Sequence, residues 1–199
     1  MTKCWAGIAL NAGVVTDLEW LVDIIPKAIG VHFVDATHWD NRDADLVLWT
    51  DASLRLGLGF VYANRGSTYA ISPSSSKEKI DIFFLELVAI LSAVHHVALF
   101  SHPPKRLLLW TDSLDSVAAY SSLRAAESIH NSVLLALAGI LLQTGMDLRI
   151  RHIAGKDNLK ADLLSRLMID EFHRRFPYQS VRVFSPPREL LPARWRECF

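Results

Sequence analysis

Cysteine is almost missing from this sequence: there are two in 199 residues, Cys4 and Cys198, near opposite ends. That scarcity excludes a disulfide framework and a cysteine-based zinc site, and it suits a reducing compartment. Long apolar runs are missing too. The longest, residues 133–142, is about half of what a bilayer span needs, and no basic region leads into a signal-peptide core. A soluble, intracellular protein with no membrane partner is expected, with nucleus and cytoplasm both open. Net charge is the third absence. Lys+Arg and Asp+Glu both total 21, so bulk charge does not announce a nucleic-acid binder. Basic residues do dominate from position 149 to 196, which reads equally as a solubilising surface or a phosphate-contacting face.

What is present is a chain long enough, and at 51% hydrophobic apolar enough, for one full core. Three regions are expected: a leader over 1–44, a main domain over 45–172 and a Pro/Arg-rich tail over 173–199. In the leader, Thr16-Asp17-Leu-Glu19 has the form of a capped helix start, and Leu18, Leu21, Ile24 and Ile25 recur at helical spacing until Pro26 and Gly30. Residues 32–39 are expected to be extended, and Asn41-Arg-Asp43 is polar punctuation. The central stretch is Asp45-Leu-Val-Leu-Trp-Thr-Asp-Ala-Ser53, an apolar run that ends on a carboxylate and then meets small residues. A second strand follows at 56–62, a turn at Asn64-Arg-Gly66, a third strand at 67–72 and a loop at 73–77.

A long buried helix is expected over 80–100, its apolar face interrupted by Glu86. Arg106-Leu-Leu-Leu-Trp-Thr-Asp112 then repeats the earlier design. Two helices at 113–122 and 129–143 precede a strand at 147–153, with Leu148, Ile150 and His152 on one face, and a last helix at 158–172. The tail, with Pro177, Pro186, Pro187 and Pro192, reads as an extended strap or linker. This order specifies an α/β fold: a mixed five-stranded sheet, its first three strands antiparallel, with helices on both faces.

Asp51 and Asp112 end two apolar strands, Glu86 sits near the start of the long helix, and Asp162 lies in Lys160-Ala-Asp-Leu-Leu-Ser-Arg166. Taken singly, each is an ordinary turn, cap or solvated residue. Taken together they differ, because parallel strands joined by a helix tend to be neighbours, which brings both Asp side chains to one sheet edge beneath Glu86. Clustered carboxylates raise one another's pKa unless cations neutralise them. Oxygen-only ligands select hard ions, Mg²⁺ or Mn²⁺ over zinc. Two such ions about 3.5–4 Å apart suit in-line phosphodiester displacement.

The segments Trp49-Thr-Asp-Ala-Ser53, Phe84-Leu-Glu-Leu-Val-Ala-Ile90, Trp110-Thr-Asp-Ser113 and His152-Ile-Ala-Gly-Lys-Asp-Asn-Leu-Lys-Ala-Asp162 resemble, in order, the four motifs of type 1 ribonuclease H. The last is the most specific, with its carboxylate ten positions after His152. The resemblance covers 45–167 and implies the ribonuclease H-like version of the fold above. It implies that Asp51, Glu86, Asp112 and Asp162 are catalytic ligands of two Mg²⁺ ions, with Mn²⁺ an alternative. His152 would aid product release or orient water; read structurally, it is a strand histidine packed on the last helix. Ser53, Ser113 and Asn158 would contact substrate, Asn158 alternatively capping the last helix. Asp115 and Asp157 fall outside the motifs, as a helix-start carboxylate and a loop residue.

Ala161-Asp-Leu-Leu-Ser-Arg166 looks like retroelement polyproteins, and the leader, Asp17-Leu-Glu-Trp-Leu21 followed by Gly30-Val31 and Trp39, is similar to the segment joining the polymerase thumb to ribonuclease H in DIRS-like, tyrosine-recombinase retroelements, with the reverse transcriptase polymerase expected outside these 199 residues. One departure stands out: between Tyr120 and Ile129 the only base is Arg124, so the basic protrusion of cellular enzymes is missing. The expected activity is metal-dependent hydrolysis of the RNA strand of an RNA–DNA hybrid, read through its 2′-hydroxyls. The alternatives are a catalytically weak nucleic-acid-binding or assembly module, and a DNA nuclease or resolvase on the same fold.

Overall fold

The structure, a computed structural model, describes residues 9–29, 39–71, 80–191 and 196. Cys4, Cys198, the expected extension over 32–38 and the loop at 73–77 lie outside the described residues.

Six strands form one sheet in the order β5-β4-β1-β2-β3-β6. β1 (Leu46–Ala52), β2 (Gly57–Tyr62) and β3 (Arg65–Ala70) make the antiparallel meander expected of them, while β4 (Arg106–Thr111) and β5 (Asp147–His152) add in parallel beside β1. The expected count of five strands is corrected by β6 (Ser180–Val183), which pairs in parallel with β3. Part of the tail read as a strap is therefore an edge strand. Beyond it the Phe184 ring packs at a tilt on Phe60, with centroids 4.9 Å apart, and Leu191 is 1% exposed in the core.

Helices cover both faces. On one, α2 (Ile82–Ala98) buries Phe84 through Val94, and Val97, against Leu48, Phe60, Leu107 and Leu109. α3 (Leu114–Ser122) and α4 (Ser128–Thr144) pack beside it, sharing that apolar cluster. The Asp81 carboxylate caps α2 by accepting from Phe84 N–H at 2.7 Å, and its other neighbour is His130 Nε2 of α4 at 3.2 Å. One residue thus starts a helix and fastens it to the next. No helix among the described residues is long and apolar enough to cross a membrane.

The opposite face holds α5 (Leu159–Ser165) and α6 (Ile169–Arg175), where Leu163, Leu164 and Phe172 close over Val61. A single last helix over 158–172 was expected; the structure breaks it at Leu167, whose φ is 58°. Met168 N–H donates to Leu163 O at 2.8 Å and Leu167 N–H to Leu164 O at 3.1 Å, a left-handed helix ending usually built on glycine. The leader helix α1 (Ala12–Ile24) also departs from expectation. It starts at an Asn11 cap, whose Oδ1 accepts from Val14 N–H at 2.9 Å, rather than at Thr16. Its Ile24 side chain lies on α4 at Gly139, Ile29 N–H donates to Leu142 O at 2.9 Å and Trp39 Nε1–H to Asp147 at 2.7 Å, so the leader rests on the main domain along its length.

Gly59 decides how close α5 comes. A Cβ there would lie 2.6 Å from Ser165 N, 2.8 Å from Ala161 O and 2.8 Å from Leu164 Cβ. Two of these atoms are helix backbone, so nothing flexible can give way. Gly59→Ala is expected to lower unfolding free energy by roughly 1–3 kcal/mol, the usual range for overpacking. Urea titration of both proteins checks this, and an unchanged midpoint would mean that α5 does not sit on bare backbone.

Candidate active site

β1 and β4 pair in parallel with Trp49 opposite Trp110, so Asp51 and Asp112, each two residues further on, emerge at the same edge of the sheet. Glu86, in the second turn of α2, reaches them from the face above, where its Oε1 accepts from Ala52 N–H at 3.3 Å. One carboxylate oxygen from each of Asp51, Glu86 and Asp112 falls within 4.8 Å of the others. Asp51 and Glu86 are each 6% exposed and Asp112 is half-buried.

Asp162 is near but outside this trio. It is half-buried on α5, and its Oδ1 accepts from Arg166 Nε–H at 2.5 Å, one helical turn on. Its charge still reaches Asp51. Burial, opposed by a hydrogen bond from Ser165 and reinforced by Asp112 and Asp162, pushes the Asp51 carboxyl up to about 7. Burial and the charges of Asp51 and Asp112 push Glu86 up to about 9, against the Ala52 N–H.

The trio fits a hard divalent cation on three counts. All donors are oxygens, two are buried, and Glu86 Oε2 has no hydrogen-bond partner among the described residues. A buried carboxylate oxygen left without a donor is destabilising unless a cation meets it. Among the described residues no Cys or His joins the cluster, which argues for Mg²⁺ or Mn²⁺ over zinc.

The remaining expected residues are placed as follows. His152 is the last residue of β5, opposite Thr111 and therefore beside Asp112; it is exposed, which corrects the reading of a packed strand histidine. Asn158 is 1% exposed and its Nδ2–H donates to Thr50 O at 2.9 Å. It makes no side-chain cap, so the capping role is corrected: this amide ties the start of α5 to β1. Ser113 caps α3, accepting from Ser116 N–H at 3.2 Å. Ser53 is half-buried in the turn after β1, its N–H donating to Gly57 O at 2.8 Å. Asp115 lies in the first turn of α3, and Asp157 in the 3₁₀ turn Gly155–Asp157.

Two residues at the site were given no role by the motifs. The Ser165 hydroxyl, fully buried, donates to Asp51 Oδ2 and also lies 2.9 Å from Asp162 O. Gly155 lets the loop after β5 pass against the site, since a Cβ there would sit 3.1 Å from Asp112 Oδ2. Only its spacing from His152 hinted at Gly155, and nothing local marked Ser165.

No family model matches the chain, and no curated protein does. Among solved structures it resembles LC11-RNase H1 in complex with an RNA/DNA hybrid, with a TM-score of 0.54 and 18% identity over 64% of this chain and 98% of that one. A second structure, of LC11-RNase H1 isolated from compost by a metagenomic approach, gives a TM-score of 0.52 and 19% identity over 63% and 96%. The chain has a ribonuclease H-like fold.

Two carboxyls held above their ordinary range give a signed pH dependence. Their contribution to stability is full below the ordinary carboxylate range and is lost as pH rises through about 7 for Asp51 and about 9 for Glu86. Without divalent metal, the thermal midpoint is expected to fall as pH rises across that window, and Glu86→Gln to raise stability at pH 8 by roughly 1–3 kcal/mol. Mg²⁺ should restore the wild type more than the variant. Calorimetry in EDTA and in Mg²⁺ checks both, and a flat midpoint would contradict the crowding of these charges.

Proposed function

We propose that this protein is a metal-dependent endonuclease that hydrolyses the RNA strand of RNA–DNA hybrids. The observation that carries the reading is the convergence of Asp51, Glu86 and Asp112, from two strand ends and a helix, with a buried oxygen of Glu86 unpaired on a ribonuclease H-like fold. Asp51, Glu86 and Asp112 would hold divalent ions, Mg²⁺ by preference, with Asp162 as a fourth ligand once released from Arg166. When bound, such ions activate water and stabilise the leaving oxygen of a phosphodiester.

The chain's own side chains supply the rest. Ser165 fixes the orientation of Asp51, and Ala52 N–H fixes that of Glu86. Asn158 holds β1 against the start of α5, which keeps Asp162 within reach. His152, exposed beside Asp112, stands where a proton can be exchanged with solvent or with a departing strand. The connection between α3 and α4 is short, residues 123–127, and carries Arg124 as its only base. Weak, salt-sensitive affinity for hybrid follows when the chain stands alone. The motif ending Ala161-Asp-Leu-Leu-Ser-Arg166 and the leader support an origin in a reverse-transcribing element, where a polymerase domain would supply the missing grip.

Asp51→Asn and Asp112→Asn are each expected to abolish Mg²⁺-dependent cleavage of labelled hybrid while the fold persists by circular dichroism. His152→Ala is expected to lower turnover by about 10²-fold with little change in stability, since the side chain is exposed. Duplex DNA and duplex RNA assayed in parallel identify the substrate. Cleavage of duplex DNA in preference to hybrid would replace this reading with that of a DNA nuclease, and turnover retained in either Asp variant would remove the trio from the chemistry.

A further inference from the structure

A cavity of about 440 Å³ opens between the last turn of α2, β3 and β6. It is remote from the carboxylates: the rise along α2 from Glu86 to His95 alone is ~14 Å. Its walls are basic. Arg65 lies opposite Tyr62 and Ser180, and Ser67 opposite Phe60 and Arg182, so both arginines and Ser67 project from one face of the sheet. That is the face meeting α2, since His96 contacts the rings of Phe60 and Tyr62 at 5.4 and 5.5 Å. His95 and His96 close the side.

The charge is unbalanced. No lining residue is a carboxylate, and Glu189, 3.9 Å from His95, is the nearby acid outside the lining. Neither Arg65 nor Arg182 makes a side-chain hydrogen bond or ion pair among the described residues. Like charges on adjacent strands repel, and an anion bridging two guanidinium groups turns that repulsion into charge-assisted hydrogen bonding. Ser67 lines the same wall, and its hydroxyl, with no partner among the described residues, is available to a ligand in the cavity. The rings of Tyr62, Phe100 and Phe184 line the rest together with Leu99 and Val183, and the volume is that of a small-ligand site.

We propose that this cavity binds a nucleotide, its phosphate held by Arg65, Arg182 and Ser67 and its base resting against Tyr62 and Phe184. The basic cluster selects the phosphate, and the rings select a planar body over a bare anion. No metal is required, so the site is separable from the carboxylates. A free nucleoside monophosphate and the 5′-phosphorylated end of a single strand offer the same chemistry.

The test titrates the full chain, in EDTA to silence the carboxylates, with AMP, adenosine, and a short oligonucleotide with and without its 5′-phosphate, followed by amide chemical shifts and calorimetry. AMP is expected to shift resonances of β3, β6 and the end of α2 saturably and to bind at least tenfold more tightly than adenosine. Arg65→Ala and Arg182→Ala should each weaken AMP binding by about tenfold or more. Both side chains are exposed, so the core is untouched. Tighter binding of the phosphorylated oligonucleotide than of AMP identifies a strand end as the ligand; equal or weaker binding identifies the free nucleotide. The proposal is overturned if no saturable shift occurs, if shifts are confined to residues around Asp51 and Asp112, if adenosine binds as well as AMP, or if the double alanine variant binds as tightly as the wild type.

Discussion

Repulsion among Asp51, Glu86 and Asp112, brought within 4.8 Å of one another and largely out of water, has to be opposed by the scaffold around them. In a less rigid setting the three would swing apart or take up protons. Here they are held from three directions: Asp51 by a strand paired on both sides, Asp112 by the strand beside it, Glu86 by a helix whose other residues fill the core. The same packing that stabilises the fold thus keeps its charged centre under strain that protons or a cation relieve. Only the cation leaves the carboxylates ionised.

The second face of the sheet contributes through an absence. Gly59 lies opposite Asp51 in the β1–β2 register, and its missing side chain lets α5 rest on strand backbone. That contact delivers Ser165 to Asp51 and brings Asp162 into electrostatic range. Asn158 ties the start of the same helix to Thr50 O. A short, otherwise marginal helix of seven residues is placed by backbone contact, by Leu163 and Leu164 on Val61, and by three hydrogen bonds, the third from the Thr68 hydroxyl to Leu164 O at 2.8 Å, rather than by its own stability.

Much of this was legible in the sequence because charge interrupted pattern. Asp51 and Asp112 each ended an apolar run after Trp-Thr, and Glu86 broke an otherwise apolar helix; their meeting followed from the topology those runs imply. The misses have physical causes. β6 is four residues, Ser-Val-Arg-Val, mostly exposed and flanked by prolines, so period-two alternation had too little length to show. The break at Leu167 carried no Gly or Pro, and Leu163, Leu164, Met168 and Phe172 continue at helical spacing across it. Ser165 was silent because a serine on a helix usually bonds its own backbone, and only the approach over Gly59 turns it to Asp51. Asn158 was read as a cap or a substrate contact because the carbonyl it holds is distant in sequence.

The edge strand carries a consequence for how the molecule is made. β3 is finished early in synthesis, but its outer edge is covered only by β6, and Tyr69 of β3 meets Arg188 across 119 residues of chain. Until residues 180–183 are in place, β3 presents open backbone donors and acceptors to whatever strand is nearby. Parallel closure of this kind is slow, because the entropy of a very long loop is lost before any pairing is gained. Ser180–Val183 therefore do more than extend the sheet: by occupying the outer edge of β3 they keep its backbone from templating the strands of other copies.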